Sequence, residues 1–111
     1  MSAVSTAWMF LVLAGCFEVA CTTALRYVDG FARPGVLAVL VVLGTASLAL
    51  LFQALRSIPI GTAYAVWTGM GAAGTVLIGI LFYKEPTDAI RLAFLSTLIG
   101  SIVGLKLFSH S

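Results

Sequence analysis

The feature that most constrains the fold is an apolar run, residues 7–25, whose only ionisable group with a formal charge is Glu18. A helix of this length can cross the hydrocarbon core of a bilayer. A carboxylate at that depth costs roughly 2.5 to 3.5 kcal/mol on insertion scales, so it normally faces a bundle interior or a wet cavity. The nearest basic residue in sequence, Arg26, is eight positions away, which is about 12 Å along a helix. Glu18 therefore predicts a proton or cation site; the alternative is a structural acid bonded to its neighbours or to a lysine of another span.

The composition predicts an integral membrane protein with four spans. The 111-residue chain is 61% hydrophobic and 9% charged, and its mean hydropathy is +1.15. Loop signals divide it into one all-α domain with transmembrane helices at about 7–26, 35–55, 60–83 and 90–108. The formal charge of +2 is small and scattered, so we expect membrane lipid around the chain and no nucleic acid partner.

Polar and aromatic residues follow one face of the third span. At spacings of three or four, this stripe contains Tyr64, Trp67, Thr68, Gly71 and Thr75. Such a face can surround a cation with π and hydrogen-bond contacts. The alternative is ordinary packing, or anchoring of the aromatic rings at the membrane interface.

Ser47 is a candidate polar group in the second span, although its hydroxyl could equally bond the carbonyl one turn back.

Enzymatic chemistry is not indicated. The remaining acid–base candidate besides Glu18 is His110, near the end of the sequence. With no nucleophile–base pair or metal-ligand cluster in the pattern, we expect no metal, no cofactor and no catalytic residue.

Small residues in the last two spans predict close helix packing. Gly69 and Gly71 belong to a literal GxGxxG string, but it lies inside an apolar helix, so we interpret it as a kink or hinge instead of a dinucleotide site. Ser96, Gly100 and Gly104 recur at every fourth position of the last span, a ridge suited to dimerisation. Four short helices enclose little space, so we expect two chains to share one site.

The chain resembles the small multidrug resistance family of bacterial exporters. The resemblance rests on Ala14–Val19, Asp29–Phe31, Pro59–Trp67, Gly69–Gly71 and Phe82–Pro86. It implies a four-span protein of the bacterial inner membrane that works as an antiparallel dimer and exchanges protons for small organic cations. It further implies that Glu18 of both protomers binds protons or substrate, that Tyr64 and Trp67 line the site, and that Ser47 completes its polar network, orienting Glu18 or Tyr64.

Within that family, the strings Phe17–Val19, Thr68–Gly69 and Gly104–Lys106 look more like the guanidinium-exporting branch than the branch for quaternary ammonium and lipophilic cations. Cys21 departs from this pattern, because the guanidinium branch usually has tryptophan three residues after the glutamate. We therefore expect Cys21 to widen the substrate range. A broader multidrug exporter, one subunit of a heterodimeric pair, and a membrane assembly subunit that does not transport remain alternatives to a homodimeric guanidinium exporter.

Overall fold

The computed structural model describes residues 2–28 and 32–108, and in those ranges it contains helices and connecting turns but no strand. The predicted turn at Asp29–Phe31 and the acid–base candidate His110 lie outside the described residues. All four helices are long and apolar enough to cross a membrane. They are α1 (Ala3–Leu25), α2 (Pro34–Ala54), α3 (Ile60–Tyr83) and α4 (Ala89–Leu107). The predicted all-α, four-span fold is confirmed.

The main difference from the predicted boundaries is at the start of α1, which begins at Ala3 instead of residue 7. Ser2 caps this helix, because its Oγ accepts a hydrogen bond of 3.1 Å from the Ser5 amide. The hydropathy pattern places the boundary at the first continuous apolar run and so misses a polar first turn. Every other helix end lies within one residue of its predicted position.

The buried core lies between α1, α2 and α3. Its fully buried side chains include Leu11 of α1 and Val66 of α3, with Ile58 of the turn between α2 and α3. The backbone of α4 packs on α3, and its one buried residue is Leu95. Many large apolar side chains of the protomer are exposed and few are buried, as expected of helices whose surroundings are lipid or another membrane helix.

Glycines bring α1 and α3 into close contact near the middle of both helices. A Cβ added at Gly71 would lie 2.8 Å from Glu18 Cγ, and one added at Gly74 would overlap the side chain of Val19. Real Cβ atoms essentially never approach other atoms so closely. The two glycines therefore provide the space that Glu18 and Val19 occupy against α3.

Gly69 faces α4, whereas Gly71 and Gly74 face α1. A Cβ there would lie 3.0 Å from Ile102 Cδ1 of α4. Gly69 and Gly71 thus provide close approach to α4 and α1 respectively, within a helix that is continuous from Ile60 to Tyr83. Their packing role is visible in this structure, and their role as a hinge stays a prediction.

An ionic cluster joins three helix ends at one membrane face. Lys84 ends α3 in the left-handed conformation, with φ of 56°, and the next residue, Glu85, donates its amide to the Gly79 carbonyl at 3.1 Å. The Glu85 carboxylate then accepts hydrogen bonds from Arg26 at 2.6 Å and from Arg91 at 2.8 Å. Glu85 therefore connects the end of α1 and the start of α4 to the end of α3.

This cluster predicts an acid-sensitive contribution to stability. The hydrogen bonds from Arg26 and then Arg91 lower the pKa of the Glu85 carboxyl. The ion pairs therefore stabilise the fold above the ordinary glutamate pKa, and this contribution is lost as the pH falls through the lowered value. We expect Glu85→Gln to have a lower melting temperature than wild type in detergent at neutral pH. As the pH falls, the melting temperature of the variant should decrease less than that of wild type.

The matched control for this prediction is Asp88→Asn. Asp88 lies in the same loop, and its carboxylate forms no ion pair within residues 2–28 and 32–108. A Glu85→Gln protein that melts like wild type throughout the acid range would contradict a stabilising role for the cluster.

Candidate functional site

Glu18 projects from the middle of α1 toward α3 and is half-buried in the protomer. Its carboxylate forms no ion pair with the described residues. No buried side-chain oxygen or nitrogen in this part of the chain lacks a hydrogen-bond partner. The Glu18 oxygens are therefore not sealed inside the protein but open into the adjacent cavity.

That cavity has a volume of ≈ 410 Å³ and lies between α1 and α3. Its lining consists of Glu18, Thr22, Trp67, Thr68, Gly71, Ala72, Thr75 and Val76. Four of the five residues of the predicted stripe are among them. Thr22 is a lining residue outside the predicted set, and its position one turn after Glu18 places it on the same helix face.

Tyr64 lies beyond the cavity lining. Its side chain is 58% exposed in the protomer, and its ring packs beside that of Trp67, with centroids 5.8 Å apart and planes tilted by 53°. Within one protomer, Tyr64 therefore contacts the site through Trp67.

Ser47 fixes the orientation of Trp67. The indole Nε1 donates to Ser47 Oγ at 2.9 Å, and the fully buried hydroxyl donates to the Ala14 carbonyl at 2.7 Å. These two bonds link α3 through α2 to α1. Within one protomer Ser47 thus bonds the Ala14 carbonyl and the Trp67 indole, and the expectation that it orients Glu18 or Tyr64 stays a prediction.

Cys21 points away from the cavity. Its Sγ lies 3.8 Å from the Leu40 carbonyl of α2, and a Cβ added at Gly44 would be 4.0 Å from it. Cys21 is three residues after Glu18, so the two side chains point about 60° apart around the axis of α1. This difference is enough to turn Cys21 toward α2. Its effect on substrate range stays a prediction and would have to act through the packing of α1 on α2.

The small-residue ridge of α4 faces out of the protomer. Ser96 and Gly100 are exposed, and Cβ atoms added at Gly100 and Gly104 would meet nothing within 4 Å. The ridge lies on the other side of α4 from Leu98 and Ile102, which face Gly69. Its place in a dimer stays a prediction.

The chemistry of the cavity suits a cation. It combines one carboxylate with hydroxyl oxygens and an indole, groups that attract positive charge. The part of the chain that the structure describes contains no group of three or more His, Cys, Asp or Glu residues able to hold a metal.

Residues 6–99 match the family model described as Small Multidrug Resistance protein. The chain belongs to the small multidrug resistance family. The match includes every residue that lines the Glu18 cavity. Family membership and the four spans make the chain a multi-pass inner-membrane transport protein and not an enzyme.

Several relatives within this family are similar over nearly their whole length. A protein named guanidinium exporter from Escherichia coli O6:H1 is 46% identical over 105 residues, which cover 93% of this chain and 98% of the relative. Proteins of the same name from Escherichia coli K12 and Salmonella typhimurium are 45% and 41% identical over the same shares of both chains.

The hydrogen-bonded pair of Ser47 and Trp67 generates a prediction for this small multidrug resistance protein. Ser47→Ala removes the acceptor of the indole N–H, and an unsatisfied buried donor costs about 1–3 kcal/mol. We expect reduced substrate binding with the helices still assembled, because the indole loses its fixed orientation. In a double-mutant cycle, the losses of substrate binding caused by Ser47→Ala and Trp67→Phe should be less than additive.

The control for this cycle is Ser101→Ala, which removes an exposed hydroxyl that donates to the Thr97 carbonyl of its own helix. Binding constants and melting temperatures are measured for all variants. Strictly additive losses of binding in the cycle would contradict the proposed dependence of Trp67 on Ser47.

Proposed function

We propose that this chain exports guanidinium, or small substituted guanidinium cations, in exchange for protons. In this proposal two copies form an antiparallel dimer, and the Glu18 carboxylates of both copies face one shared site. The substrate class follows the names of relatives that are 41–46% identical over 93% of this chain. The mechanism follows from the surroundings of Glu18.

The observation that carries the proposal is a carboxylate that opens into a cavity at membrane depth and forms no ion pair with any residue in 2–28 and 32–108. An unpaired charge in a medium of low polarity is costly, so it binds a counterion or takes up a proton. A proton and an organic cation neutralise the same oxygens and therefore exclude each other. This competition is the physical basis of exchange.

Trp67 provides the second element of recognition. Its indole lines the cavity with Glu18 and is held by the bond to Ser47. A guanidinium group is planar, weakly hydrated and able to stack on an aromatic face while its N–H groups donate to a carboxylate. The carboxylate and the indole therefore offer two different contacts to one planar cation.

A second chain completes the site in this proposal. The cavity is formed by α1 and α3 of one protomer. On the ridge of α4, Ser96 and Gly100 are exposed, and a Cβ added at Gly104 would meet nothing within 4 Å. Small residues let membrane helices approach closely, so the ridge suits a contact between two copies. Two antiparallel copies would place both Glu18 side chains at similar membrane depth, because the residue lies mid-helix.

The proposal predicts proton-coupled uptake that depends on Glu18. Purified protein is reconstituted into proteoliposomes, and guanidinium uptake is measured with an outwardly directed proton gradient. We expect uptake by wild type and none by Glu18→Gln, because the amide cannot exchange a proton for a cation. Guanidinium binding at equilibrium should weaken as the pH falls.

Asp88→Asn, which removes an exposed loop carboxylate, should transport like wild type. Binding that is unchanged between mildly acidic and alkaline pH would rule out competition at Glu18. Uptake of quaternary ammonium in preference to guanidinium would favour the broader exporter. Activity that requires a second four-span chain would favour a heterodimer.

A further inference from the structure

The cavity contains a pair of hydroxyl groups, one turn beyond Glu18, that the proposed mechanism does not use. Thr22 of α1 and Thr75 of α3 both line the cavity, and their Oγ1 atoms are 2.6 Å apart. Thr22 is four residues after Glu18, and Thr75 is four residues after Gly71. The pair therefore lies on the same faces of α1 and α3 as the contact between Glu18 and Gly71.

The two hydroxyls have fewer protons than their contacts require. Thr22 Oγ1 lies 3.0 Å from the Val19 carbonyl, and Thr75 Oγ1 lies 2.6 Å from the Gly71 carbonyl. With the contact between the hydroxyls, this makes three oxygen–oxygen contacts. Each hydroxyl has a single proton, so two protons must serve three contacts.

Both hydroxyl protons are therefore donated to protein oxygens, and the two Oγ1 atoms can only accept further hydrogen bonds. A hydroxyl oxygen has two lone pairs, and at most one of the four is taken by the partner threonine. A ligand in the cavity meets oxygens that can accept hydrogen bonds but have no proton to give. A ligand N–H can donate to one of the lone pairs that remain.

We propose that Thr22 and Thr75 form an acceptor subsite that selects cations bearing N–H groups, a proposal that rests on the proposed function. Thr22 is about 6 Å from Glu18 along the axis of α1, so a cation at the carboxylate also reaches the hydroxyl pair. Guanidinium presents N–H donors on every edge of its plane: one edge faces Glu18 and another faces the threonines. A quaternary ammonium ion has no N–H and gains nothing from the pair.

The competing explanation is that the pair only fastens α1 to α3. Such a link would affect every substrate equally, and its loss would reduce stability. The two roles therefore differ in whether the effect depends on the N–H groups of the ligand.

The test uses the double variant Thr22→Val, Thr75→Val, which preserves side-chain shape and removes both oxygens. KM for guanidinium uptake and inhibition of that uptake by tetramethylammonium, which has no N–H, are measured in proteoliposomes. We expect KM for guanidinium to rise about tenfold, the loss typical of a hydrogen bond to a charged group, and tetramethylammonium inhibition to be retained or strengthened. The double serine variant should restore wild-type KM, because serine returns the hydroxyls.

Thr23→Val is the matched control, since Thr23 also donates to the Val19 carbonyl, at 2.8 Å, but does not line the cavity. An unchanged KM for guanidinium in the double valine variant would overturn the subsite and leave the proposed function intact. Equal weakening of both cations, with a matching loss in melting temperature, would also overturn it in favour of a structural link. A wild-type protein that does not transport guanidinium would refute the proposed function, and the subsite with it.

Discussion

The structure depends on one constraint: a carboxylate must be held at membrane depth without an ion-pair partner among the residues that the structure describes. Glu18 meets this constraint by lying against Gly71 of α3, where a side chain of any size would displace it. The contact between α1 and α3 continues at Gly74 and Val19. The same close packing that accommodates the acid therefore forms one wall of the cavity into which it opens.

The hydroxyls and the indole around the site are held by local hydrogen bonds, and Glu18 is the charged residue that lines the cavity. Ser47 bonds the Ala14 carbonyl and the Trp67 indole, and the hydroxyls of Thr22 and Thr75 lie within hydrogen-bonding distance of carbonyls of their own helices and of each other. Side-chain hydrogen bonds between membrane helices average only about 0.6 kcal/mol. Their main contribution here is orientation: they fix the indole face and direct hydroxyl oxygens toward the cavity.

Much of the fold could be predicted from the sequence because lipid imposes a simple rule. Spans without charge must be helices of about 20 residues, and charged or helix-breaking residues separate them. The early start of α1 was missed because Ser2 signals a helix through hydrogen bonding and not through hydropathy. The bridge from Glu85 to Arg26 and Arg91 was also missed, since these residues are adjacent only after α1, α3 and α4 have packed.

The candidate site was predictable where residues share one helix face and unpredictable where contacts cross between helices. Periodicity placed Trp67, Thr68, Gly71 and Thr75 together, and they line the cavity with Glu18. The hydrogen-bond partner of Ser47 depends on how α2 is rotated against α1 and α3. The spacing of residues along the sequence does not predict this rotation. Cys21 is the clearest case, because a rotation of about 60° from Glu18 decides whether it meets the cavity or α2.

In the proposed function, two chains share one cation site in which both Glu18 carboxylates take part. The most direct measurement is the binding stoichiometry of guanidinium at alkaline pH, by calorimetric titration of protein whose concentration is known from amino-acid analysis. We expect one guanidinium per two chains and no binding by Glu18→Gln. One guanidinium per chain, with each protomer saturating independently, would contradict it.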